Sequence, residues 1–411
     1  MMTMTRREFI GSSAAFAALG GCRTASLIGL AYPGWHPGEM DIHFIHTGVG
    51  EQTFFVFPDG TTMLLDCGHS ERKPEYVRRI PPRPDGSLRG GQWVSRYLQR
   101  VTDRREIDYM MVSHWHSDHT AGLPDVAKDF RFLRWLDHQY PRVGVHQHDA
   151  DQLALRFGRE FVPAAVTRGM KAEPFAVGAL NQIALRNDSA HRYDFEIRNL
   201  AANGIVWDGK GGFVDYAAEH VKASGRDQIE ENQLSAAILI RYGGFTYYTG
   251  GDVEKTLRRA DGSRVDIEAA VGRACGEVDV CKTNHHAFRA AMQAGFVSEV
   301  RARAYLSSVW SVSQVNDVNL PIMASRELYS GPRTVHFGCM PLETLEGFAG
   351  RPFVADIAPA YGHKVVKVAP GGGSYEIFTL DACDESMTVV ASSGSVSSKG
   401  RKRLIGGSMQ C

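Results

Sequence analysis

The sequence predicts an α/β (α+β) fold in which a single domain forms an αββα sandwich, with two packed sheets between outer helices. Strand-like apolar runs and helix-like segments follow one another along the chain in an order that is typical of such layered domains. The chain has 411 residues, 43% of them hydrophobic, which is enough for a large core. Residues able to bind metals follow predicted strands near 114–119, 252 and 285, so they can meet at one edge of the sheets.

The first part of the chain carries strand signals and one helix signal. Apolar runs predict four strands, at 41–46, 53–57, 63–68 and 107–112. The segment Pro58-Asp59-Gly60-Thr61 is a turn that closes a hairpin between two of them. Trp93 and Tyr97 recur at helical spacing within 92–101 and predict a helix there.

The second part predicts further strands within a domain that spans 40–380. Residues 125–225 mix helical and irregular signals, and we interpret them as an insertion over one face. Gly243-Gly244 joins two strand-like runs as in a hairpin. Strands are predicted at 235–242, 245–249, 303–309 and 364–368, with another apolar run from Val278. The polar segment 385–411 is predicted to be a flexible tail.

Residues 1–22 have the features of an export signal. Arg6-Arg7 with Phe9 resembles a twin-arginine signal, and Leu19-Gly20-Gly21-Cys22 resembles a lipobox. The apolar stretch between them is too short and too rich in glycine and alanine to span a bilayer stably. We predict export across the cytoplasmic membrane to the periplasm or cell surface, with a lipid anchor on Cys22. An ordinary N-terminus with a chance arginine pair is the alternative.

The charge balance argues against a dedicated nucleic-acid-binding protein. Lys+Arg and Asp+Glu each number 46, so the chain has no overall basic field for holding phosphates. A local basic groove is still compatible with these counts. Six cysteines remain beyond Cys22, and their pairing cannot be read from the sequence.

The most informative motif is His114-Trp115-His116-Ser117-Asp118-His119. Three imidazoles and a carboxylate directly after a strand are the donors that a one- or two-metal hydrolytic site needs. The His-x-His pair can direct two nitrogens at one ion, and the Asp-His pair an oxygen and a nitrogen at a second. A solvated histidine-rich loop is the alternative, and the position at a strand end argues against it.

Two further strand ends supply candidate ligands. Asp252 follows Gly250-Gly251, where a helix-capping role competes with a metal role, and the neighbouring motif favours the metal. His285 lies nearer its strand end than His286. We therefore predict His285 as a ligand and His286 as a substrate contact.

Three other polar residues are interpreted as structural. Asp66 lies where a loop passes beneath the predicted metals. Asn232 could line the site or simply end a strand, and the structural interpretation is preferred. Lys282 is interpreted as a strand lysine whose ammonium group reaches water, although contact with a substrate anion is the alternative.

These motifs resemble the metallo-β-lactamase superfamily, and within it most closely the soluble hydrolase domain of ComEC-type competence DNA-internalisation proteins. The superfamily resemblance rests on His114-x-His116-x-Asp118-His119 together with Asp252 and His285. The closer resemblance covers roughly 40–310 except 125–225. It rests on four stretches, namely His43-Phe44-Ile45 with Gly48-x-Gly50, 57–68, 232–252, and Asp279-Val280-x-Lys282 before His285-His286.

The chain departs from the family pattern at three places. Family members usually show Asp-Val-Gly-Gln-Gly-Asp where this chain has residues 46–51, ending in Glu51. Ala287-Phe288 replaces the family's Gly-Ser after the paired histidines. The further histidine that many members supply before Asp252 has no recognisable motif here, so the first metal site is expected to be incomplete or weaker.

The resemblance implies a centre with two divalent metal ions. It implies that the first ion is bound by His114 and His116, the second by Asp118, His119 and His285, and both by a bridging Asp252. Asp118 would also orient the metal-activated hydroxide, which makes it the predicted catalytic residue. Zn²⁺ suits such a mixed set best, and Mn or Fe also fit.

The leading hypothesis is an exported metal-dependent hydrolase acting on a small-molecule or short nucleic-acid phosphodiester, or on a nucleotide-like substrate. A lactone, ester or β-lactam hydrolase is the first alternative, because the same motif serves these reactions. A non-catalytic lipoprotein that keeps the fold for binding is the second. No membrane channel accompanies the domain, so the resemblance does not imply DNA uptake.

Overall fold

The computed structural model describes residues 26–69, 80–141, 152–187, 193–218, 230–254, 256–258, 264–311, 313–340 and 342–400. Within these ranges two large sheets pack face to face, with helices on their outer faces, which confirms the predicted αββα sandwich. The predicted signal 1–22, including Cys22, lies outside the described residues.

The described part of the chain contains strands β1 to β22. In chain order they are β1 (Met40–Phe44), β2 (Thr53–Val56), β3 (Thr62–Leu65), β4 (Glu106–Ile107), β5 (Tyr109–Val112), β6 (Arg131–Phe132), β7 (Arg134–Asp137), β8 (Lys171–Pro174), β9 (Phe195–Ala202), β10 (Ile205–Trp207), β11 (Phe213–Asp215), β12 (Ala237–Tyr242), β13 (Phe245–Thr249), β14 (Thr256–Arg258), β15 (Arg264–Asp266), β16 (Val280–Lys282), β17 (Ala304–Ser307), β18 (Thr334–Phe337), β19 (His363–Val368), β20 (Ser374–Leu380), β21 (Val389–Ser392) and β22 (Val396–Ser397).

Each large sheet joins an antiparallel half to a parallel half. The first sheet has the order β21-β20-β19-β1-β2-β3-β5-β7-β8, with β22 also paired to β20. The second has the order β11-β10-β9-β12-β13-β16-β17-β18. The pairs from β3 to β8 and from β13 to β18 are parallel. The carboxyl ends of parallel strands share one edge of a sheet, and that edge is where candidate ligands follow β5, β13 and β16.

Helices cover the outer faces of both sheets. They are α1 (Gly90–Val101), α2 (Ser117–Thr120), α3 (Leu123–Asp129), α4 (Gln152–Thr167), α5 (Ile267–Cys275), α6 (Ala294–Val300), α7 (Asn319–Met323) and α8 (Leu342–Gly347). Shorter 3-10 turns lie at Glu231–Leu234, Asn284–Ala287, Pro352–Asp356 and Pro370–Gly372. None of the helices in the described ranges is both long and apolar enough to cross a membrane.

The core between the sheets explains why the strands form where they do. Ile42 and Phe55 of the first sheet and Ile240 and Tyr247 of the second belong to one fully buried cluster. On the outer faces, α1 packs on the first sheet and α5 and α6 pack on the second. Burial of these faces at about 25 cal/mol per Å² of apolar area holds the two sheets together and keeps their edges rigid.

Two predicted boundaries differ from the structure. The segment 125–225, interpreted as an insertion, supplies β7 and β8 to the first sheet and β9, β10 and β11 to the second. Its edge strand Lys171–Pro174 is short, has no buried residue and contains none of the β-branched or aromatic residues that predict a strand. Within the predicted tail 385–411, β21 and β22 pair with β20, while residues 401–411 lie outside the described ranges.

Candidate metal centre

The turn between β5 and α2 brings the first two histidines of the motif together. The His114 side chain is fully buried, and its Nε2 lies 3.1 Å from Nδ1 of His116. The His119 backbone N–H donates to the carbonyl of His116 at 3.1 Å, which begins the short helix and turns the chain back. Two imidazole nitrogens this close together, with neither ring exposed, are suited to bind a common cation.

Three strand ends converge around His119. Its Nε2 lies 3.2 Å from Asp252 Oδ1 and 3.2 Å from Nε2 of His286. Ligand atoms of His114, His119 and Asp252 lie within 4.8 Å of one another, as do those of Asp118, His119 and His286. His114, Asp118 and His119 of the first motif therefore share one cluster with Asp252, and His116 adjoins this cluster through its contact with His114.

Asp66 supports the cluster from below. Its Oδ2 lies 2.8 Å from Nδ1 of His119, and it accepts from the backbone N–H and hydroxyl of Ser113 at 2.7 and 2.6 Å. A carboxylate on Nδ1 fixes the ring and leaves Nε2 on the side of the cluster. The structural position inferred for Asp66 from the sequence agrees with these contacts.

The two consecutive histidines occupy different places from those predicted. His286 is 1% exposed, and its Nε2 lies 3.2 Å from Asp252 Oδ2. His285 is 18% exposed, and its Nε2 lies 3.7 Å from the same oxygen. Nδ1 of His285 lies 2.8 Å from Glu254 Oε2. The geometry favours His286 as the ligand and His285 at the rim, the reverse of the predicted roles.

Backbone conformation explains this reversal. His285, His286 and Ala287 have φ values of 42°, 51° and 56°, in the left-handed region that non-glycine residues rarely adopt. The chain therefore turns sharply after β16, and proximity to the strand end no longer decides which ring points inward. Such strain persists where surrounding contacts enforce it, commonly at functional sites.

The charges of the cluster are mutually dependent. Burial alone would raise the pKa of the Asp252 carboxyl, but His119 and His286 outweigh burial and hold that pKa well below its usual range. Burial and the neighbouring His119 lower the pKa of His114 well below its usual value. Asp252 is therefore available as an anion and His114 as a neutral donor, the forms that bind cations.

Several polar residues that support the site were not predicted. Glu231 accepts the backbone N–H of Trp115 at 2.8 Å, and its Oε1 lies 2.8 Å from Nε2 of His138. Glu51 faces His286. Its position at the end of the segment 46–51, where the chain departs from the family pattern, is the one sequence signal that could have indicated a role at the site. Lys282, interpreted as reaching water, is instead completely buried beside Glu51.

We expect Gly68→Ala to weaken metal binding without changing any ligand side chain. A Cβ at Gly68 would lie 1.6 Å from the carbonyl oxygen of Asp118, so the loop that carries Asp118 must move. Overpacking of this kind costs about 1–3 kcal/mol of folding free energy. Metal content and thermal unfolding would be compared with Gly86→Ala, where the Cβ meets nothing within 4 Å. Unchanged metal content in Gly68→Ala would contradict the expectation.

Glu268 is expected to make stability depend on pH. It accepts from the Asn284 side chain at 3.0 Å and the backbone N–H groups of Met292 and Gln293 at 2.6 and 3.0 Å. Burial, reinforced by Asp266, raises its pKa from the usual 4.5 to about 8. The folded state thus binds the extra proton, so its stabilising contribution is complete below about pH 4.5 and is lost as pH rises through 8.

The measurement is urea unfolding of wild type and Glu268→Gln from pH 5 to 8.5. The free energy of unfolding of wild type should fall relative to that of the variant by a few kcal/mol at about pH 8. Glu299→Gln, on the adjacent helix α6, is the matched control. Parallel pH profiles for wild type and Glu268→Gln would show that the carboxyl titrates as it does in the unfolded chain.

Comparison with known proteins agrees with the fold and the motif. A family model described as the metallo-β-lactamase superfamily matches residues 46–229. The lactamase-like protein nscB of Arthroderma otae is 30% identical over 97 residues, 23% of this chain and 26% of that protein. An atrochrysone carboxyl ACP thioesterase of Pseudocercospora fijiensis is 31% identical over 83 residues, 20% of this chain and 23% of that protein. The chain thus spans about a quarter of these relatives.

One solved structure covers more of the chain at lower similarity. The crystal structure of unliganded yeast PDE1 aligns with 79% of this chain and 98% of that chain, at 11% identity. The two structures superpose with a TM-score of 0.38.

Proposed function

We propose that this chain is a metal-dependent hydrolase with two divalent ions. Its match to the family model supports membership of the metallo-β-lactamase superfamily. The observation that carries the proposal is the convergence of three separate strand ends. Ligand atoms of His114, His119 and Asp252, and again of Asp118, His119 and His286, lie within 4.8 Å of one another.

The donor set fits transition-metal ions. Imidazole nitrogens with carboxylate oxygens suit Zn²⁺ best, and Mn or Fe also fit. Oδ1 of Asp252 is buried and has no hydrogen-bond partner among the described residues, which is costly unless a cation satisfies it. When bound, such ions polarise a substrate oxygen and lower the pKa of a water to about 7.

The chain's own residues supply the orientation that hydrolysis requires. Asp66 fixes the ring of His119 through Nδ1, so its Nε2 faces the cluster. Asp118 is 14% exposed and Asp252 only 1%, so of the two candidate carboxylate ligands Asp118 reaches the solvent side, where a nucleophilic water would be oriented. His285, held by Glu254 at the rim, is placed to contact substrate.

We propose an anionic substrate, a phosphodiester or nucleotide-like molecule. The cluster contains four carboxylates and one ammonium, from Glu51, Asp66, Asp118, Asp252 and Lys282. With neutral imidazoles the charge of these five groups is three negative, and two divalent ions would offset it. Bound divalent cations in a buried site attract a negatively charged substrate. The sequence resemblance to ComEC-type hydrolase domains supports the same class.

The thioesterase among the relatives favours a second candidate. It is named a thioesterase, and it is 31% identical to this chain over 83 residues. A carbonyl at the same centre would be attacked by the same water, so esters, thioesters, lactones and β-lactams form the alternative substrate class.

The test combines metal content with two substrates. Purified mature chain should contain about two ions and hydrolyse bis(p-nitrophenyl) phosphate, and both Asp118→Ala and His119→Ala should lose that turnover. If the chain binds metal and hydrolyses an S-acyl-N-acetylcysteamine thioester but not the phosphodiester, the substrate belongs to the carbonyl class and the phosphodiester proposal is wrong. If the wild-type chain binds no stoichiometric metal, the hydrolase proposal is overturned. The remaining hypothesis is then a lipoprotein that uses the fold for binding.

Export and lipid anchoring are also proposed, from the twin-arginine and lipobox resemblances. In cells, wild type should fractionate with membranes, and Cys22→Ser should release it in soluble form. Replacing Arg6 and Arg7 together by lysine should retain the chain in the cytoplasm. Cytoplasmic wild type would contradict the export proposal without bearing on hydrolysis.

A further inference from the structure

We propose that the buried pair Glu51–Lys282 is a positioning device that fixes the ring orientation of His286 and ties it to the loop of Asp252. The proposal rests on the proposed metal centre. Neither residue was a predicted site residue. Lys282 was interpreted as a strand lysine whose ammonium group reaches water, and Glu51 was noted only as the last residue of a segment that departs from the family pattern.

Lys282 is an ammonium group with no access to water. It ends β16, is completely buried, and donates to the carbonyl of Gly251 at 2.6 Å. Its Nζ lies 2.8 Å from Glu51 Oε1 and 3.8 Å from Asp252 Oδ1. A buried cation is tolerated only with such partners, so these contacts define where Gly251 and Asp252 sit.

Glu51 is held rigidly by its backbone. Its N–H donates to the carbonyl of Asp118 at 2.8 Å, and its carbonyl accepts from Gly68 at 3.0 Å. The preceding Gly50 has a φ of 109°, and a Cβ there would lie 2.6 Å from Gly68. The backbone of Glu51 is therefore anchored to the loop that carries Asp118, which limits the positions that its carboxylate can take.

The second oxygen of Glu51 faces the histidine. Oε2 lies 3.2 Å from Nδ1 of His286, and neither atom has a hydrogen-bond partner among the described residues. On the other side, Trp310 packs against the imidazole with ring centroids 4.2 Å apart. An anion beside Nδ1 favours the tautomer with the proton on Nδ1, which leaves Nε2 as a lone-pair donor toward the cluster.

The contact between Glu51 and His286 depends on the contact between Lys282 and Glu51. Because Lys282 holds one oxygen of Glu51, only the other oxygen can face His286. An amide at position 51 would keep its oxygen toward the ammonium and present its NH₂ to Nδ1. That donor would move the ring proton to Nε2 and block the metal-binding nitrogen. Glutamine has almost the same volume as glutamate, but it presents a donor to Nδ1 where an acceptor is needed. The position therefore requires glutamate for its two acceptor oxygens and not for its size.

The test is Glu51→Gln, read by ¹⁵N NMR of the metal-free protein and by zinc titration against a chromophoric chelator. We expect His286 to carry its proton on Nδ1 in wild type and on Nε2 in the variant. Zinc affinity should fall by ~10- to 100-fold, as for other residues that orient a metal ligand. Glu268→Gln, a buried glutamate that touches no candidate ligand, is the control and should retain both properties.

The double variant Glu51→Gln with Lys282→Met separates positioning from general stability. Without the ammonium the amide is free to turn its oxygen toward His286, so the Nδ1 tautomer should return. Zinc affinity is not expected to recover fully, because Lys282→Met also removes the donor to the Gly251 carbonyl. A double variant that keeps the proton on Nε2 would overturn the proposed dependence of one contact on the other, as would an unchanged tautomer in Glu51→Gln. Failure of wild type to bind zinc would refute the proposed function instead, and the metal-free tautomer would still test the pair.

Discussion

Asp252→Asn is expected to lower kcat on a phosphodiester substrate by at least ~10³-fold and to remove most bound metal. The reason is that one carboxylate faces both halves of the cluster. Its Oδ1 lies 3.2 Å from His119, and its Oδ2 lies 3.2 Å from His286 and 3.9 Å from His114. The amide that replaces it has the same shape but carries no negative charge, and its nitrogen cannot bind a cation.

A matched substitution distinguishes charge from packing. Asp266→Asn changes the same group at the start of α5, where the side chain accepts the backbone N–H of Ala269 at 2.8 Å. Asparagine caps helices about as well as aspartate, so this control should keep its activity and metal. The Asp252 backbone N–H donates to Ser235 at 3.1 Å and is not affected by the side-chain change. Two bound ions and wild-type turnover in Asp252→Asn would contradict a shared ligand.

The architecture was predictable because its signals are local. The runs that form β1, β2, β3 and β13 are apolar and bounded by glycine or turn residues, and the structure confirms the layered arrangement that they predict. The motif after β5 concentrates its ligands within six residues, so no knowledge of distant contacts was needed to find it.

The parts that escaped prediction depend on contacts distant in sequence. Glu231 meets Trp115 across more than a hundred residues, and Glu51 meets His286 across more than two hundred. Glu231 has no local pattern, and Glu51 has only its place in a segment that departs from the family motif. A buried carboxylate is recognised by its spatial partners more than by its sequence neighbours. The edge strand Lys171–Pro174 escaped for the same reason, since its pairing with β7 and not its composition makes it a strand.

The choice between His285 and His286 as the ligand depends both on a local sequence signal and on contacts that are distant in sequence. Distance from the strand end is readable in the sequence and favours His285. The left-handed backbone that reverses the order is enforced by surrounding packing, which the sequence does not display. A direct comparison of the two histidines is therefore the sharpest test of the site.

His286→Ala is expected to lower zinc affinity by at least ~10²-fold and turnover accordingly, whereas His285→Ala should keep both ions and lose ~10-fold in kcat/KM. His286 is 1% exposed with its Nε2 3.2 Å from Asp252, so its removal takes away a ligand. His285 lies at the rim, paired with Glu254 at 2.8 Å, so its removal changes a contact made with substrate.

The outcome separates the two assignments because they predict opposite orders. His336→Ala removes a buried histidine outside the cluster and controls for the cavity that each substitution leaves. If His285→Ala loses metal while His286→Ala keeps it, the ligand is the residue nearer the strand end and the left-handed turn does not persist in the metal-bound protein. If His286→Ala alone loses metal, the backbone turn after β16 selects the ligand, and the exposed ring of His285 is left to meet the substrate.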